Sequence, residues 1–220
     1  MFEIMAEKPK RILYLGTNPL GCQGREDVFH CPIIEIVPRE IPRYVIEDME
    51  EYTHFIFTSK HSVSLFLNFV QDKKVLEGKV ICAVGQESAK KLELLGAPFP
   101  HIAKEETQEG IIDLLCSMDL KEAYVLFPRS SLARHGIENF LMAREVRYQA
   151  FDLYDTVTKK PEQMPNLEQF EEIVFTSPST VKAFVDLFLT LPKDKKLTSI
   201  GPITQEALQS HLMHNRGAIR

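Results

Sequence analysis

Two hydrophobic rhythms alternate along the chain. Short runs that are apolar at nearly every position give way to longer stretches with apolar residues at i, i+3, i+4 and i+7. The first reads as a buried strand and the second as one face of an amphipathic helix. Strands are predicted at residues 11–15 (RILYL), 31–37 (CPIIEIV), 55–57, 79–84, around Ile102, and at 123–127, 146–157, 173–175 and 197–200. Helices are predicted at residues 60–70, 86–95, 107–118, 136–144, 178–188 and 204–212. Regular alternation of strand and helix predicts an α/β protein with parallel sheets. Prolines punctuate it twice, at Pro38 and Pro42 and again at Pro161 and Pro165, and these two stretches read as linkers.

One stretch occurs twice. FIFTSKHSVSLFLNFV at 55–70 returns as IVFTSPSTVKAFVDLF at 173–188, with Phe-Thr-Ser in register at an offset of 175 − 57 = 118. The same offset carries Val63, Phe66, Leu67 and Val70 onto Val181, Phe184, Val185 and Phe188. In each copy a serine, Ser59 or Ser177, stands at the N-cap position, and Pro178 suits the first helical turn. A strand, a serine turn and a helix whose free N–H groups face solvent can hold an anion. The linkers and the repeat together predict two open parallel-sheet α/β lobes joined by a two-segment connector. One lobe is discontinuous, residues 1–37 with 157–220, and the other, 38–156, is inserted. Ligands of open α/β sheets lie at the carboxyl ends of the strands, so the two rims are expected to border a shared, hinged cleft.

Composition narrows the function. The 44% hydrophobic and 26% charged content is that of a soluble globular protein. No run approaches a membrane span, and MFEIMAEKPKR lacks the pattern of a secretory signal, which predicts a cytoplasmic protein with no membrane partner. The net charge of −5, without a basic block, argues against nucleic acid. The four cysteines form no CxxC pair, and the histidines are scattered, so no metal site is expected. No P-loop, GxSxG elbow, HExxH or dinucleotide fingerprint is present. What remains at predicted strand ends is a set of hydroxyls, turn residues and amides: Thr58, Ser59, Gly85, Gln86, Ser88, Thr176, Ser177, Pro202 and Thr204. Lys60, His61, Arg129, Arg134 and Lys196 could add positive charge, and Tyr154 ends the longest predicted strand. Hydroxyls and amides without a nucleophile, metal or nucleotide motif suit a site that binds a polyanion and guides its reactivity.

Six segments carry a family resemblance: FTSKHSV at 57–63, AVGQESAKKLELLG at 83–96, EGIIDLL at 109–115, LYDT at 153–156, VFTSPSTVKAF at 174–184 and IGPITQEAL at 200–208. In order and spacing the chain resembles the uroporphyrinogen-III synthases. The resemblance implies a monomeric, cofactor-free and metal-free enzyme of heme (tetrapyrrole) biosynthesis. It would cyclise hydroxymethylbilane, a linear tetrapyrrole polycarboxylate, with loss of water and inversion of ring D. Carried over by motif, Tyr154 is the proton donor to the leaving hydroxyl. Thr58, Ser59, Lys60, His61, Gly85, Gln86, Ser88, Arg129, Thr176, Ser177, Lys196, Pro202 and Thr204 bind the substrate. The chain departs from the pattern in three places. It has LGTNP where the family opens with a strand and Thr-Arg-Pro, Ser88 where threonine is usual, and Ile203 in place of the first hydroxyl after Gly-Pro. The family's last strand and helix are expected to be missing or reduced. A two-lobed anion-binding or small-ligand-binding protein without catalysis is the alternative.

Overall fold

The computed structural model describes residues 11–18, 24–70 and 72–217, with side chains to residue 213. Residues 1–10, together with Pro19, Gly21 and Cys22, lie outside the described residues. Among the described residues ten strands and seven α-helices follow one another as β1 (Ile12–Tyr14), β2 (Val28–His30), β3 (Ile34–Pro38), α1 (Arg43–Glu47), β4 (His54–Phe57), α2 (Lys60–Phe69), β5 (Val80–Ala83), α3 (Gln86–Leu94), β6 (His101–Ile102) and α4 (Gln108–Cys116). The series continues with β7 (Tyr124–Ser130), α5 (Gly136–Ala143), β8 (Arg147–Thr158), β9 (Glu172–Phe175), α6 (Pro178–Phe188), β10 (Lys196–Ser199) and α7 (Pro202–Gly217). The chain divides into two compact units, residues 1–35 with 156–220 and residues 36–155.

The discontinuous unit is built on a four-stranded sheet in the order β10-β9-β1-β2, parallel throughout. Its core is Leu13, Leu15, Ile33, Ile173, Phe175, Val181, Phe184 and their neighbours, all drawn from this unit. Phe184 meets Phe175 edge-on and stacks on Phe188, so the helix stripe and the strand share one aromatic seam. Filling such a seam stabilises by roughly 1.5–3 kcal/mol per large side chain.

The continuous unit holds the second sheet, ordered β3-β8-β7-β4-β5-β6. From β8 to β6 the pairing is parallel. The edge strand β3 runs antiparallel to β8, as the hydrogen bonds Arg39 N to Leu153 O and Lys159 N to Ile33 O, each 2.8 Å, require. Helices cover both faces. Phe55, Phe57, Val63, Phe66 and Leu67 lie in the core on one face, and Ile56, Cys82, Ile111, Val125 and Phe127 lie in the core on the other. Burial on both faces is why these strands are apolar at every position and do not alternate.

Four elements differ from the expectation, and the first is the short helix α1, in a stretch where only a linker was predicted. The strand that pairs with β1 is Val28–His30, a run too short to stand out, and the apolar stretch 31–37 contributes β3 from Ile34 onward. Strand β7 runs on through Pro128, Arg129 and Ser130, past its predicted end at Phe127, because Arg129 and Ser130 pair with Asp152 and Tyr154 across an irregularity in the ladder. Helix α7 begins at Pro202, two residues early, and extends to Gly217.

Candidate functional site

Parallel strands put their carboxyl ends on one rim of a sheet. In the continuous unit that rim collects Thr58 and Ser59 after β4, Gly85 and Gln86 after β5, Arg129 and Ser130 at the end of β7, and Tyr154 opposite Ser130 on β8. In the discontinuous unit it collects Gly16 after β1, Thr176 and Ser177 after β9, and Pro202 and Thr204 after β10.

At the first rim Ser59 caps α2. Its backbone is extended, and its Oγ accepts from Ser62 N at 3.0 Å. The same Oγ lies 2.8 Å from the Tyr154 hydroxyl, 95 residues away in sequence. Tyr154 is only 5% exposed, which places a single polar atom at the edge of an aromatic core. Burial pushes its phenol above the usual value, and hydrogen bonds with Ser59 and Ser130 act against that. The His61 ring meets Tyr154 edge-on, with centroids 6.2 Å apart. Burial, and then the neighbouring Lys60 charge, hold the His61 imidazole below its ordinary value, so it is neutral at pH 7. The rim therefore offers a protonated phenol, a capped helix N-terminus and a neutral imidazole. Among the groups named here no base stands beside a serine to make it a nucleophile.

The second copy closes on itself. Ser177 Oγ accepts from Thr180 N at 3.3 Å, and Thr180 Oγ1 accepts from the amides of both Thr176 and Ser177, each at 3.2 Å. This capping box uses the very amides that the repeat suggested for an anion. Thr176 packs its methyl against Gly16, where a Cβ would collide with it. Thr204 is buried in the first turn of α7, and Pro202 is exposed at its start.

The structure does not bring all the expected residues together. Lys196 opens β10, so it stands at the amino end of the strand, opposite the rim, and pairs there with Glu172 at 3.0 Å. Arg129 is nearly buried. Its guanidinium lies 3.2 Å from Glu138 and 3.2 Å from Asp152, so its charge is answered inside the unit. Arg134 pairs with Glu109 at 3.0 Å. Ser88 is buried within α3. At Gly85 and Gln86 the helix N-terminus already holds a carboxylate, for Gln86 N donates to Glu106 Oε1 at 3.1 Å. Only a glycine at position 85 lets Glu106 lie so close.

Glu106, Ser62, Thr180 and Ser130 escaped the sequence reading. No local signal marks Glu106 as the partner of an amide 20 residues away. Ser62 and Thr180 carry a signal, since the offset of 118 places one hydroxyl on the other at the third helical position.

Two α/β units, each with polar strand-to-helix turns on the carboxyl rim of its sheet and one of them with a buried tyrosine hydroxyl at that rim, define the class of protein. Comparison with known proteins makes this specific. The family model described as uroporphyrinogen-III synthase HemD matches residues 20–216, and the chain belongs to that family. It is 26% identical to the uroporphyrinogen-III synthase of Chlorobaculum parvum over 95% of this chain and 89% of that one. It is also 26% identical to the porphyrin biosynthesis protein HemD of Ruminiclostridium josui, of which it spans 44% of the length and which matches 95% of this chain. In fold it is similar to the uroporphyrinogen-III synthetase of Helicobacter pylori (TM-score 0.62, 20% identity, 91% of this chain and 88% of that one). The same holds for a uroporphyrinogen III synthase mutant from Thermus thermophilus (TM-score 0.61, 16% identity, with the same coverages).

Proposed function

We propose that this chain converts hydroxymethylbilane to uroporphyrinogen III, a cyclising lyase reaction, and that the rim of the continuous unit carries the chemistry. The observation that supports it most is the Ser59–Tyr154 contact, which joins a phenol to the cap of a helix N-terminus. A hydroxyl leaves poorly unless it is protonated. A phenol that keeps its proton at neutral pH can supply one. In the step proposed, the Tyr154 O–H bond and the substrate C–O bond break and the hydroxyl departs as water. The pyrrole N–H of the same ring gives a proton back to the phenolate as the azafulvene forms. Attack of that centre on the substituted carbon of ring D, and reclosure with ring D inverted, then depend on restriction to one geometry, which is an orientation effect.

The substrate's carboxylates would be met by Thr58, Ser59, Lys60 and His61 on this rim, and by Thr176, Ser177, Pro202 and the α7 N-terminus on the other. Gly85 and Gln86 would receive one only after Glu106 moves aside. Ser88 and Thr204 would act from within their helices, and Arg129 would hold β7 and β8 together beside Tyr154. Lys196, at the opposite end of its strand, would serve the sheet and leave the ligand to others. The proposal includes a monomer acting in the cytoplasm without a cofactor, and sedimentation of the purified protein checks the first of these. Incubation with enzymatically made hydroxymethylbilane, followed by isomer analysis of the oxidised porphyrins, tests the reaction itself.

A further inference from the structure

Three hydroxyls at the rim of the continuous unit form a directed chain. Ser62 Oγ lies 2.8 Å from the carbonyl oxygen of Ser59, and a carbonyl only accepts, so the single Ser62 proton is spent there. Ser59 Oγ lies 3.3 Å from Ser62 Oγ, which must therefore accept, and the single Ser59 proton is spent in turn. In the remaining contact, 2.8 Å between Ser59 Oγ and Tyr154 Oη, the phenol is left as donor. The order is Tyr154 to Ser59, Ser59 to Ser62, Ser62 to backbone. Ser62 is fully buried, so water does not compete for it. The second copy of the repeat is wired otherwise. Thr180, at the position of Ser62, also donates to the carbonyl of its capping serine at 2.7 Å, but it accepts from backbone amides and not from the serine hydroxyl. The relay thus belongs to the copy that faces a tyrosine.

We propose that Ser62 is a positioning residue that, by accepting the Ser59 proton, holds the Tyr154 proton on Ser59 until the substrate is in place. The proposal deepens the reading of Tyr154 as proton donor and rests on it. When Tyr154 gives its proton away, Ser59 turns its own from Ser62 to the phenolate. Only the acceptor of that proton changes, and no further proton is gained or lost. Such a turn leaves the departing hydroxyl as the one productive destination for the phenol proton and stabilises the anion left behind. The other groups on the packed elements are Lys60 and His61 on α2, Ser130 and Arg129 on β7, and Asp152 and Asp155 on β8. Arg129 and Asp152 pair with each other, and Asp155 pairs with Arg39.

Ionisation of Tyr154 in the substrate-free protein reads this wiring without reference to turnover. It is followed by alkaline titration of the tyrosine absorbance, with Tyr154→Phe as the blank for the other tyrosines. In the wild type, ionisation costs the Ser59–Ser62 bond. In Ser62→Ala that bond is already gone, so Tyr154 is expected to ionise at lower pH than in the wild type. In Ser59→Ala the phenolate keeps Ser130 but loses the Ser59 donor, and ionisation is expected at higher pH. Ser62→Thr installs the residue of the second copy, whose hydroxyl accepts from backbone amides and not from the capping serine, so it is expected to shift ionisation in the same direction as Ser62→Ala. A general loosening that admits water would move both alanine variants down together, which would overturn the proposal, as would an unmoved Ser62→Ala. Should Ser62→Ala fail to fold, the pair Ser59→Ala and Ser62→Thr still decides, since a fall in the first or an unmoved second contradicts the wiring. Loss of catalysis in Tyr154→Phe is a separate measurement, so failure of the relay and failure of the proton-donor reading are distinguishable.

Discussion

Ser59 and Ser177 each follow a Phe-Thr pair and share the same extended backbone, yet they do different work, because the third helical residue spends its hydroxyl differently in each copy. Ser177→Ala removes one side of a closed capping box and is expected to cost about 0.5–2 kcal/mol in urea unfolding. Tyr154 leads to a pH prediction. Burial raises its phenol above the usual ~10, so a neutral tyrosine stabilises the fold below that value, and this contribution is lost as pH rises through the higher folded value. Wild-type stability is therefore expected to fall above about pH 10 more steeply than that of Tyr154→Phe, where no phenol remains to ionise. Denaturant midpoints measured between about pH 9 and 11 check this. The capping serines were legible in the sequence because a cap is a local device with a fixed offset. The partners of Arg129, Lys196 and Gln86 were not, since a salt bridge or a carboxylate 20 residues away leaves no periodic trace.

Strand and helix identities followed from the apolar runs wherever a strand is buried on both faces and a helix carries a full stripe. They failed where those conditions lapse. Strand β2 is three residues long and half exposed, and the tail of β7 carries Pro128 and Arg129, which interrupt the apolar run that marks the strand. The aromatic seam under α6 is the element most sensitive to truncation. Phe184→Ala is expected to destabilise the discontinuous unit by about 3–5 kcal/mol, measured by urea unfolding. At the edge of the other sheet Arg39 grips Asp155 through two bonds of 2.7 Å and reaches Asp152 at 3.3 Å, joining the residue after β3 to β8. The Arg39 guanidinium holds the Asp155 carboxyl below its usual range. Whatever stability this pair adds is present above the unfolded carboxyl value of about 4 and lost as pH falls through the lower folded one. The difference in melting temperature between wild type and Arg39→Ala is expected to close below about pH 4, and a constant difference would assign the effect to packing.

At the scale of the whole molecule the chain holds separate cores, each drawn from one unit, around two copies of one strand-turn-helix device. Residues 36–155 contain every member of both cores of the continuous unit. Expressed alone, this fragment is expected to unfold cooperatively and to keep the Tyr154 titration of the full chain, and a fragment without a cooperative transition would show that its stability depends on the rest. The family was legible from six short segments in order, and the parallel strands from the alternation of strand and helix. Which copy of the repeat meets a tyrosine was not legible, because that distinction rests on Tyr154 reaching Ser59 across 95 residues. The proposed chemistry requires Tyr154 in the continuous unit to give up the proton that releases the substrate's hydroxyl. The decisive measurement is the rate of type III isomer formation from hydroxymethylbilane by well-folded Tyr154→Phe, relative to the wild type. A fall of about 10²–10⁴-fold is expected from loss of a positioned acid, and a variant that forms the type III isomer at close to the wild-type rate would contradict the claim.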